Sequence, residues 1–127
     1  MVLLCLGLAG SARADAPPPP RAPAPAIRVT RVRGPRTPAG VHARVRTARV
    51  ADCQHTFIGG DLLADVEIDA AGALTVQRTH AGEEIRSYGR CVERALERLS
   101  FGPAAGVTRA RLIVSFPSLG LDTPASP

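Results

Sequence analysis

The chain of 127 residues has no lysine and no tryptophan, and aromatic residues make up only 3% of it. Without large rings, a core has to be assembled from valine, leucine, isoleucine and alanine. Such a core is thin, and small domains bury proportionally little surface, so a cross-link or a partner is expected to supplement it. The scarcity of stacking rings also disfavours nucleic acid as a ligand. No apolar run reaches the ~20 residues that a membrane-spanning helix needs. The sequence also lacks a nucleophile elbow, a phosphate loop and a dinucleotide fingerprint. His42, His55 and His80 stand in separate segments. Cys53-x-His55 is a conceivable ligand pair, but a closed zinc site wants about four ligands. No catalytic residue, metal or cofactor is expected, and an enzymatic role is disfavoured.

All 16 basic residues are arginine. Together with the abundant alanine, glycine and proline, this matches the coding bias of a GC-rich genome, which competes with any functional explanation of the arginines. The charge is uneven: residues 15–50 hold eight arginines against one aspartate, while residues 51–127 hold seven against ten acids. A basic stretch attracts anionic surfaces. Arg21, Arg28, Arg31, Arg33 and Arg36 are the candidate polyanion-binding residues, with a solvated linker as the simpler explanation.

Val2 to Gly10 is an apolar run, followed by Ala12-Arg13-Ala14. This pattern predicts a signal peptide over residues 1–14, with cleavage before Asp15. No positive charge precedes Val2, which suggests a natural start further upstream. Cys5 follows Leu4, where a lipidation site requires a small residue. The expected location is therefore the periplasm or outer envelope of a Gram-negative bacterium. Removing residues 1–14 leaves Cys53 and Cys91. An even count in an oxidising compartment suggests one disulfide; the alternative is two buried free thiols.

Residues 15–36 read as a Pro/Arg-rich linker containing Pro17-Pro18-Pro19-Pro20. Within it, Ile27 to Arg33 fits a short edge strand. Simple alternation puts Ile27, Val29, Arg31 and Arg33 on one face and Arg28, Thr30 and Val32 on the other. Thr37-Pro38 signals a helix start. Val41, Val45 and Ala48 then follow at helical spacing, and Gly59-Gly60 is a stop, so a helix is predicted from about Pro38 to Phe57. A strand competes, because Val41, Ala43, Val45 and Thr47 also alternate.

Leu62 to Ile68 and Ala73 to Arg78 alternate around the turn Asp69-Ala70-Ala71-Gly72 and predict a hairpin. Asp65, Glu67 and Asp69 share one face of its first strand, as a solvated sheet face would. Ile85, Tyr88, Val92, Leu96 and Leu99 form one face of an amphipathic helix, in which Gly89 is either an unfavourable interior residue or the mark of a later start near Ser87. Thr108 to Phe116 alternates again and ends at Pro117. The expected fold is α+β. Its core is ββαβ, a three-stranded antiparallel sheet with a helix on one face, preceded by an additional helix. The domain is expected over residues 37–118, with a tail over residues 119–127.

This order resembles the TonB C-terminal domain superfamily, and more narrowly the AgmX/PglI C-terminal type of myxobacterial envelope proteins. The likeness is carried by Cys53, by the hairpin from Ala64 to Leu74, by Cys91-Val92, by Leu99-Ser100-Phe101-Gly102-Pro103 and by Val114-Ser115-Phe116-Pro117. It spans roughly Ile27 to Ser118, and Gln54 departs from an aromatic neighbour usual in the family. The resemblance implies a disulfide between Cys53 and Cys91. It implies a binding module without catalytic residues.

The functional expectation is an exported envelope protein that engages a protein partner by adding a strand to an exposed sheet edge. The last strand is the candidate edge, with Arg109, Arg111, Ile113 and Ser115 facing the partner. The alternative is a structural spacer that holds an anionic envelope polymer through the arginine-rich tail.

Overall fold

The computed structural model describes residues 23–119. The expected signal peptide, residues 15–22 of the linker with Arg21 among them, and residues 120–127 of the tail lie outside the described residues. The elements are β1 (Ala26–Arg33), α1 (Pro38–Val45), β2 (Gly60–Ile68), β3 (Leu74–Ala81), α2 (Gly89–Glu97) and β4 (Thr108–Phe116). Two 3-10 turns, Val50–Cys53 and Glu83–Tyr88, join them. The architecture is α+β: two helices cover one face of an antiparallel sheet.

Among the described residues the sheet has four strands, not three, in the order β1-β4-β2-β3. The extra strand is β1, so the folded unit begins before Thr37, inside the expected linker. β4 does not lie at the edge. It pairs with β1 on one side and β2 on the other. Its inward residues explain the position: Thr108, Ala110, Leu112, Val114 and Phe116 are all buried, and such a strand is best covered at the centre of the sheet. β1 buries only Ile27 fully, with Val29 and Val32 partly buried. That weaker face suits an edge.

Simple alternation also misassigns β1. Val29 stands opposite Leu112, but the next paired residue is Arg31, opposite Arg111, because a bulge intervenes. The extra residue rephases the strand. Ile27, Val29 and Val32 turn toward the helices, while Arg28, Arg31 and Arg33 occupy the other face.

α1 starts as expected, with Pro38 in the first turn and Thr37 Oγ1 accepting the Gly40 N–H at 3.0 Å. It ends at Val45 instead of reaching Phe57. Val50 lies nine positions after Val41, which on a continuous helix is about half a turn around the axis. Both are buried, so the chain has to leave the helix between them. Thr47 Oγ1 assists by donating to the Arg44 carbonyl at 2.7 Å. The competing strand over Val41 to Thr47 does not form. The face of the second helical segment agrees with the sequence: Ile85, Tyr88, Val92 and Leu96 are buried and Leu99 packs against the core. Its first half is the 3-10 turn, and the α-helix proper starts at Gly89.

Cys53 and Cys91 are disulfide-bonded, with their Cα atoms 5.4 Å apart. The bond ties the loop after α1 to the first turn of α2. Nearby, the fully buried Tyr88 packs edge-on against Phe116 and His55 at centroid distances of 5.0 and 5.1 Å. Its hydroxyl donates to the Ile58 carbonyl at 2.7 Å and meets Thr56 Oγ1 at 2.6 Å. One ring thus fills the core and fixes the loop that leads into β2. Among the described residues, no helix is long and apolar enough to cross a membrane.

Candidate functional site: an arginine-lined open sheet face

Both helices pack on one side of the sheet, so the opposite face is open. Two rungs across three strands define its character. One runs Arg33–Arg109–Glu67 and the next Arg31–Arg111–Asp65, across β1, β4 and β2. Arg111 Nε donates to Asp65 Oδ1 at 2.8 Å and its Nη2 to Oδ2 at 3.3 Å. Arg109 Nη2 donates more loosely to Glu67 Oε2, at 3.4 Å. On their β1 side, Arg111 and Arg109 face Arg31 and Arg33. Like charges directly opposite one another are unfavourable. A shallow groove between them is lined by Arg31, Arg33, Asp65, Gln77, Arg109 and Arg111.

The structure brings together two residue sets that the sequence kept apart. Arg28, Arg31 and Arg33, read as part of a basic tail, share this face with Arg109, Arg111, Ile113 and Ser115. The last four were expected on an edge strand, yet they lie mid-sheet because β4 is central. Arg28 stands opposite Ile113, and Ala26 opposite Ser115. Arg36 does not join them. Its guanidinium stacks over Phe101 at 5.5 Å and donates to the Asp69 carbonyl at 3.1 Å. The roles of Asp65 and Glu67 as counter-ions were not read from the sequence. The signal was present as two R-x-R patterns, at 31/33 and 109/111, and one D-x-E pattern at 65/67.

The carboxyl of Asp65 is held below its ordinary pKa, chiefly by the Arg111 hydrogen bond, against an opposing effect of burial. The Arg111 guanidinium is raised in turn by the same bond. Asp69 is also lowered, first by the Ala73 N–H and then by those of Gly72 and Ala71. A carboxylate with a depressed folded pKa stabilises the fold above its unfolded pKa, and that contribution is lost as pH falls through the folded value. Acid titration of the urea midpoint is therefore expected to show a loss beginning below about pH 5. Asp65→Asn should flatten part of that slope while costing under about 1 kcal/mol at neutral pH, since the pair is partly solvated. An unchanged slope would show that the Asp65–Arg111 pair contributes nothing to stability.

The histidines remain apart. His42 Nε2–H donates to the Ile27 carbonyl at 3.2 Å, and His55 shares a hydrogen bond with Ser87 at 3.1 Å. His80 is exposed opposite Leu63. Cys53 is committed to the disulfide. Among the described residues, no three His, Cys, Asp or Glu side chains come together to hold a metal ion. What the open face offers is an array of guanidiniums suited to a multiply charged anion. No family model matches this chain, and no curated protein or solved structure is significantly similar to it.

Proposed function

We propose that the chain is a non-enzymatic binding module of the cell envelope, of the TonB C-terminal-like kind, which engages a partner polypeptide by strand addition to β1. The observation that carries this reading is the difference between the two free edges. At β3, Glu97 Oε2 accepts the Val76 N–H at 2.8 Å, so a helix side chain occupies the edge backbone. At β1, His42 occupies only the Ile27 carbonyl. Among the described residues, no side chain hydrogen-bonds the backbone of Arg28 to Arg33. An edge whose backbone groups no side chain occupies can receive another strand, and the arginines and bulge of β1 select against a second copy of the same edge. Export is supported by the apolar leader and by the Cys53–Cys91 bond, which suits an oxidising compartment.

An anionic envelope polymer lying across the arginine face is the second reading, favoured by the like-charged rungs themselves. The two separate by position. A photo-cross-linking residue at Arg28 is expected to trap a discrete envelope protein in a Gram-negative host, whereas one at Thr75 on β3 is not. Adducts from Thr75 alone would move the interface to the other edge. Equal yields from both would argue against strand addition at β1.

A further inference from the structure

We infer that the segment added at β1 is acidic, with two carboxylates two residues apart that meet Arg31 and Arg33. This rests on strand addition at β1, proposed above, and adds the chemistry of the partner. From β2 outward, each rung reads acid, arginine, arginine and then the free edge. The acids of β2 pair with the arginines of β4, as Arg111–Asp65 and Arg109–Glu67, and Asp65 also stands opposite Arg78 of β3. Arg31 and Arg33 stand against like charges, and among the described residues neither has a carboxylate within ion-pair distance.

A strand laid on β1 lies about 4.8 Å away. It would place its side chains opposite Arg31 and Arg33 much as β2 places Asp65 and Glu67 opposite Arg111 and Arg109. Arg31 and Arg33 are about 7 Å apart along their strand, so carboxylates at alternate positions match both. Adjacent carboxylates do not match. One of them would turn to the helix-covered face, beside Val29 and Val32, where an apolar side chain belongs. The fitting pattern is therefore acidic, apolar, acidic. This chain already carries the pattern in Asp65-Val66-Glu67, on the far side of β4. The added strand would repeat that pattern and place acids on both sides of the paired arginines of β1 and β4.

The test is an NMR titration of the full chain, with its disulfide intact, using two synthetic peptides of about ten residues, long enough to span an edge strand. Both contain valine and glutamate in equal numbers. One alternates them and the other places the glutamates in adjacent pairs. The alternating peptide is expected to shift the backbone amides from Arg28 to Arg33 and to bind at least about tenfold more tightly than the paired one. A similar loss is expected with Arg31→Ser/Arg33→Ser, a double change on an exposed edge whose unperturbed spectrum reports an intact fold. Equal binding of both peptides at β1 would overturn the acidic spacing and leave strand addition standing. Absence of any shift along β1 with either peptide would overturn both. Tighter binding of polyphosphate than of either peptide, at the same arginines, would overturn the inference in favour of a polymer ligand.

Discussion

Reducing the Cys53–Cys91 bond is expected to destabilise the domain by about 4 kcal/mol. The two cysteines are 38 positions apart, and closing a loop of that length removes roughly this much entropy from the unfolded chain. The loss is large because the rest of the fold has little in reserve. The core cluster is mostly aliphatic, with Tyr88, Phe101 and Phe116 as its only rings among the described residues. Domains of this size hold about 5–15 kcal/mol in total. The melting temperature of the reduced, alkylated protein should lie roughly 20 °C below that of the oxidised form, measured by far-ultraviolet circular dichroism because there is no tryptophan. A fall of only a few degrees would mean that the segment between the cysteines stays ordered without the bond.

Gly72→Ala is expected to cost about 3 kcal/mol or more. Gly72 has a φ of 104°, a conformation that a β-carbon strains. A β-carbon there would also collide with the carbonyl oxygen of Phe101. The backbone has little room to retreat. The Phe101 N–H donates to the Gly72 carbonyl at 2.9 Å, and Ala73 bridges Ser100. From the other side, Asp69 Oδ1 accepts the N–H groups of Ala71, Gly72 and Ala73 at 2.9 to 3.0 Å. Gly102→Ala is the matched control, since its β-carbon would meet no atom within 4 Å. It should change stability by less than about 0.5 kcal/mol. Urea midpoints of the two variants would show whether the turn is held as tightly as its contacts imply; equal midpoints would refute it.

The β2–β3 hairpin, β4 and the buried face of α2 were legible because each rests on a local period that burial enforces. Leu62, Ala64, Val66 and Ile68 are all inward and buried, as their alternation requires. Strand order was not legible in the same way. It depends on which inner faces need most cover, and no single segment carries that comparison. This is why β4, with its buried Leu112 and Val114, moved from the expected edge to the centre. The length of α1 was hidden because Val41, Val45 and Ala48 keep helical spacing up to the point where Val50 must be buried from another direction. The candidate face was half visible. Each arginine pair could be read in its own segment, but their opposition depends on the β1–β4 register and on the bulge between Val29 and Arg31.

The placement of β4 also decides when the sheet can exist. Among the described residues, β1 is the first strand and pairs with the last alone, while the β2–β3 hairpin reaches β1 only through that same strand. The final nine-residue strand is thus a keystone. A polypeptide emerging from its N-terminus can close the hairpin early, yet β1 stays unpaired with the rest of the sheet until Thr108 and the residues after it arrive. Pairings between residues so far apart in sequence form late and slowly. Such a topology makes completion of the sheet wait on the arrival of its central strand.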